Sequence, residues 1–129
     1  MAHPNEDLIR SGFEAFATGD LEAIRGLFAD DIVWHFPGTS PISGDYHGAD
    51  EVLGWLGKNF ELSGGTLKVE PHDVLANDDH VVALIRVTAQ REGKSLDDNS
   101  VQVFHVQDGK ATEVWLNPMD QQASDDFWS

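Results

Sequence analysis

The chain has 129 residues, 40% of them hydrophobic and 24% charged; this is the texture of one domain, long enough to bury roughly two thirds of its unfolded surface. Cysteine is absent, which excludes disulfides, iron–sulfur clusters, thiol nucleophiles and cysteine-ligated zinc, and fits a reducing cytoplasm. Acidic residues outnumber basic ones by 23 to 8, a formal net charge of −15, so nucleic acids and anionic membranes are repelled.

The N-terminus shows no secretory signal, no apolar run is long enough to span a membrane, and no repeat or linker divides residues 1–129. Leu8, Ile9, Gly12, Phe13 and Phe16 recur at helical spacing between Asn5 and Gly19, predicting a first helix with one apolar face. Asp20 caps a shorter second helix with Leu21, Ile24, Leu27 and Phe28 on one stripe, ended by Asp30-Asp31. Ile32 to Phe36 is β-branched and aromatic and stops at Pro37, which predicts a strand, and Pro37 to Gly44 reads as a loop. A third helix starts near Ala49, places Val52, Leu53, Leu56 and Phe60 on one side, and stops at Gly64-Gly65.

Four strands follow: Thr66 to Ala76 with a kink near Pro71, His80 to Arg91, Leu96 to Val106, and Ala111 to about Met119. Their connections are short enough to make consecutive strands antiparallel neighbours. Helices first and strands afterwards predict an α+β fold, a curved and mainly antiparallel sheet packed on three N-terminal helices. A pocket remains wherever those helices do not fill the concavity.

Thr18-Gly19-Asp20-Leu21-Glu22, Leu27-Phe28-Ala29-Asp30-Asp31-Ile32-Val33-Trp34, Tyr46-His47-Gly48 and Asp108-Gly109-Lys110 carry a family resemblance over nearly the whole chain. It resembles the nuclear transport factor 2-like superfamily, and within it the SnoaL-like and ketosteroid-isomerase-like proteins. The resemblance implies a cone-shaped, cystatin-like α+β barrel with a cavity, commonly dimeric. Its chemistry varies with the cavity side chains, from isomerases and cyclases to members with no activity.

Carried over position by position, most of the family's catalytic groups are missing here. The general base of ketosteroid isomerase matches Phe36, and the protonated acid of its oxyanion hole matches Gln102, which can donate but cannot titrate. Phe13 and Phe16 stand near the place of the first-helix tyrosine, and Leu116 takes the position of the acid/base aspartate of SnoaL-like cyclases.

Strand parity supplies other candidates. If Gln102 faces inward, so does Phe104, with Val101, Val103 and His105 outward; the last strand then turns Val114, Leu116, Pro118 and Asp120 inward, and Glu113, Trp115 and Asn117 outward. Asp120 is thus the leading carboxylate, in apolar surroundings that raise a carboxyl pKa. The competing reading makes it the cap of a C-terminal turn beginning at Gln121.

Tyr46 and His47 stand at the expected rim, as a hydrogen-bond donor beside a proton carrier or as packing at a helix entry. His35 alternates against Trp34 and Phe36, as a structural histidine or a ligand contact. No pair of histidines has metal-ligand spacing, so neither metal nor cofactor is expected. Arg86 shares a parity with Val82, Leu84 and Thr88; turned inward it would need an acidic partner, and Glu113 or solvent is its default. Val101, Val103, His105 and Trp115, with Ala83, Ile85 and Val87, make an outer sheet face too apolar for water, which points to a homodimer.

The functional expectation is a cytoplasmic, cofactor-independent cavity protein that binds a small hydrophobic ring compound among Phe13, Phe16, Trp34, Phe36, Phe104 and Leu116. Asp120 moves a proton while Gln102, Tyr46 and His47 assist. The alternatives are a non-catalytic ligand carrier or dimerisation module and, on the fold alone, a protein-binding adaptor.

Overall fold

A computed structural model describes residues 2–129. Helix α1 (Pro4–Thr18) begins with proline in its first turn, where no N–H is needed, and with His3 Nδ1 accepting from the Asn5 N–H at 3.0 Å. Gly19 ends it at φ +72°, a left-handed position that glycine adopts without strain. Asp20 caps α2 (Leu21–Arg25) by accepting from the Ala23 N–H at 3.1 Å.

The second helix is shorter than its apolar stripe predicts. Leu27 O accepts from the Ala111 N–H at 2.9 Å and Phe28 pairs with Ala111, so the sheet takes these residues from the helix. Strand β1 therefore runs Phe28–Phe36 and holds Asp30 and Asp31 inside it.

Strand β2 (Gly44–His47) returns antiparallel against β1 as a short edge strand where a loop and a rim were expected. Helix α3 (Ala49–Leu62) follows, then β3 (Lys68–Ala76), β4 (His80–Arg91), β5 (Lys94–Gln107), β6 (Lys110–Pro118) and α4 (Gln121–Trp128). The helices are thus four, not three at the N-terminus: α3 comes after the first hairpin, and the tail forms a helix of its own. Proline at position 71 coincides with a register shift between Pro71 and Asp73 in the β3–β4 ladder.

The six strands form one sheet in the order β2-β1-β6-β5-β4-β3. Every neighbouring pair is antiparallel except β1 and β6, which lie parallel. No helix among the described residues is long and apolar enough to cross a membrane.

Register sets the inward face. Ala83 lies opposite Gln102 and Val81 opposite Phe104, and directly paired residues share a face. Ala83 and Ile85 are therefore in the core, and Val87 in the cavity wall, not on the outer face predicted for them. Arg86 correspondingly points outward and forms a two-pronged ion pair with Asp97 at 2.8 and 2.9 Å, rather than with Glu113. Ile32, Val52, Val81 and Val114 are fully excluded from water.

Candidate functional site

The concave face of the sheet and all four helices enclose a cavity of about 120 Å³, far above the roughly 15 Å³ that one water needs. Aromatic and aliphatic side chains dominate its wall. β1 contributes Trp34 and Phe36, β5 Phe104, β6 Leu116, and α1 Phe13 and Phe16, so all six expected ligand-contact residues line one space. Trp55 extends the aromatic wall from α3, packing tilted against Trp34 at 5.5 Å and Phe36 at 5.1 Å between ring centroids.

Polar residues in the wall are few: Asn59, Asp98, Ser100, Gln102 and Ser124. Asn59 is committed to the fold through its Nδ2, which donates to Trp55 O at 2.8 Å. Trp34 Nε1 and Gln102 Oε1 are buried and have no hydrogen-bond partner in the protein. Such an atom costs about 1–3 kcal/mol unless something in the cavity meets it. Among the described residues no lysine, arginine, histidine or tyrosine lines the cavity, and Asp98 is its one titratable wall residue.

The other proposed chemistry-bearing residues lie elsewhere. Asp120 is exposed and caps α4, its Oδ1 accepting from the Ala123 N–H at 3.1 Å, because the chain leaves the sheet at Pro118 before strand parity reaches position 120. Tyr46 turns its hydroxyl to Ile42 O and packs against Trp55, outside the cavity wall. Burial, with the charge of Glu51 second, pushes its phenol pKa up. His47 is exposed, and its backbone N–H donates to Glu51 Oε1, in the first turn of α3, at 3.2 Å. Of Asp120, Gln102, Tyr46 and His47, only Gln102 reaches the cavity.

Asp98, Ser100, Trp55, Asn59 and Ser124 are wall residues that the sequence reading passed over. Asp98 and Ser100 precede Gln102 on the same parity of β5, so the alternation that placed Gln102 inward marks them too. Asp98 is half-buried, where the cavity meets solvent, and its Oδ2 accepts from the Asp120 N–H at 3.4 Å.

Ser124 and Trp128 come from α4, which is tied down at both ends. Arg91 Nη1 donates to Phe127 O and Ser129 O at 3.0 and 2.8 Å, and Lys94 Nζ to Asp126 O at 3.0 Å; these cations sit at the negative end of the helix. Asp125 Oδ1 accepts from the Thr39 N–H at 3.0 Å.

On the opposite face of the sheet, His35 stands between Asp45 and Glu113, each 2.7 Å from one ring nitrogen, and stacks on Trp115. Burial alone would lower its pKa; the hydrogen bonds and charges of Glu113 and Asp45 outweigh burial and hold the pKa above the usual histidine value. Among the described residues no group of three His, Asp or Glu side chains converges as metal ligands would.

A cone of helices over a curved sheet, closed on an apolar cavity, defines an α+β protein of the cystatin-like, nuclear transport factor 2-like kind. Residues 9–114 match the SnoaL-like domain, and the chain belongs to that family. An uncharacterised protein of Mycobacterium tuberculosis is 36% identical over 124 residues, 95% of either chain. Among solved structures, Bal32a from a soil-derived mobile gene cassette superimposes with a TM-score of 0.95 at 35% identity, covering 98% of this chain and 97% of its own. TerC, co-crystallised with polyporic acid, shares the fold with a TM-score of 0.85 at 22% identity, covering 97% of this chain and 98% of its own.

Proposed function

We propose that this protein binds a small hydrophobic ring compound in its cavity, with the ring against Trp34, Phe36 and Phe104 and a polar substituent at Gln102. One observation carries the reading: an apolar cavity of about 120 Å³ whose wall residues Trp34 and Gln102 each hold a buried polar atom, Nε1 and Oε1, with no partner in the protein. A wall meant only to be filled by packing would favour apolar side chains there. An amide serves a hydroxyl through its oxygen or a carbonyl through its nitrogen, so phenols and ring ketones both suit it. The small molecule co-crystallised with TerC supports this use of the fold.

Asp98 favours a second reading, in which the bound compound also undergoes proton transfer. As the one titratable wall residue, it would take a proton from carbon beside a carbonyl and return it elsewhere, while Gln102 and Trp34 donate to the developing enolate oxygen. Asp98 thereby takes the part first expected of Asp120.

The test is titration calorimetry with 1-naphthol and naphthalene, followed by a thermal-shift screen of phenols, ring ketones, quinones and epoxides with mass spectrometry of each mixture. Binding of 1-naphthol more tightly than naphthalene supports the ligand site, and failure of every ring compound to bind overturns it. A converted compound whose turnover falls at least tenfold in Asp98→Asn supports the proton-transfer reading; binding without conversion across the screen leaves a carrier.

We also infer that two copies pair through the outer sheet face. Val82, Leu84, Val101, Val103 and Trp115 lie there half-buried, on the side of the sheet away from the cavity and its helices.

A further inference from the structure

We propose that the cavity selects ring compounds that carry a protonated amine, with the ammonium at the Asp98 carboxylate and the ring among Trp34, Trp55 and Trp128. This rests on the ligand-binding reading above and narrows its chemical class. The charge inventory of the wall comes first. Asp98 is its one charged side chain among the described residues, and no cation stands there to meet an anionic ligand. The one protein hydrogen bond to the Asp98 carboxylate is the long 3.4 Å contact from the Asp120 N–H, so most of its acceptor capacity faces the cavity mouth.

An apolar ligand head placed there displaces water from a carboxylate and returns nothing. An ammonium returns a charge-assisted hydrogen bond. Deeper in the wall Gln102, only 5% exposed, adds a carbonyl oxygen with no partner, a second buried acceptor on the same face of β5.

The aromatic wall adds a second attraction for a cation. Trp34 and Trp55 meet their aromatic neighbours at interplanar angles between 41° and 60°, and Trp128 meets Phe127 at 89°, so no face-to-face stack occupies these indole rings. An indole in the cavity wall attracts a nearby ammonium through its quadrupole, most strongly where water is excluded. The net charge of −15 draws cations toward the molecule and repels anions.

The test uses three probes that share a phenyl ring and one methylene and differ in the charge of the head: N,N-dimethylbenzylamine, isobutylbenzene and phenylacetate. Titration calorimetry at low salt should rank them in that order, with the amine about tenfold or more tighter than its neutral isostere. In Asp98→Asn, whose amide keeps the contact to Asp120, that ratio should fall to about one; Asp98→Glu, which keeps the charge, should retain a preference, and 0.5 M salt should weaken it. Isobutylbenzene or phenylacetate binding as tightly as the amine overturns the proposal while leaving the ligand site standing. An amine preference undiminished in Asp98→Asn overturns it as well. Failure of all three to bind overturns this proposal, and the 1-naphthol titration then decides whether the ligand site stands.

Discussion

Asp98 and Asp120 are joined through a single backbone N–H, yet one faces the cavity and the other caps a helix. Asp120→Ala should therefore lower stability by about 1 kcal/mol, the usual loss for an N-cap, while calorimetry records unchanged affinity for cavity probes. His35 sets a pH dependence of another kind. Its folded pKa is raised, so its contribution is fully present below the unfolded value of about 6.5 and is lost as pH rises through the folded value. The stability gap between the wild type and His35→Gln should be widest near pH 6 and close at alkaline pH in a series of thermal melts. At this scale the sequence was legible wherever alternation was strict. Gln102, Phe104 and Leu116 follow from it, and Asp98 and Ser100 follow by two more steps back along β5. Asp120 as a cavity carboxylate failed because parity was carried beyond the end of β6, whereas the competing reading of it as the cap of a turn beginning at Gln121 matches α4.

At the scale of elements, α4 gives the cavity Ser124 and Trp128, and its docking depends on a glycine in the loop after β1. Gly38 has φ +112°, and a Cβ there would run into the side chains of Asp125 and Gln121. Gly38→Ala should cost about 1–3 kcal/mol in denaturant unfolding and speed amide exchange in α4 before the rest of the chain. The start of α4 was legible as a turn capped by Asp120, but its full length and β2 were not. The tail has Phe127 and Trp128 side by side without a helical period, and β2 spans only four residues beside a glycine- and proline-rich stretch. The parity of β4 failed for a different reason. Its residues are apolar on both faces from Val81 to Ile85, so alternation carried no information and only the pairing of Ala83 with Gln102 decides. The long strands and α1, with strict patterns and clear turn residues, match the expected elements closely.

On the whole molecule, the two faces of one sheet divide the work. The concave face holds the ligand cavity, and the convex face carries the apolar patch assigned to a second copy. Trp115→Glu should shift sedimentation from dimer to monomer, since the two-fold contact then buries an unpaired carboxylate on both copies. Ligand binding should in turn raise stability, by about 2.7 kcal/mol at a hundred times the dissociation constant. The central claim is that unpaired polar atoms in the cavity wall serve a ligand, and paired measurements on Gln102→Leu test it most directly. Thermal unfolding and 1-naphthol calorimetry are compared between this variant and the wild type. Removal of a buried, unpaired amide should raise the melting temperature while weakening 1-naphthol binding at least several-fold. A lower melting temperature with unchanged affinity would make Gln102 a structural residue and contradict the account.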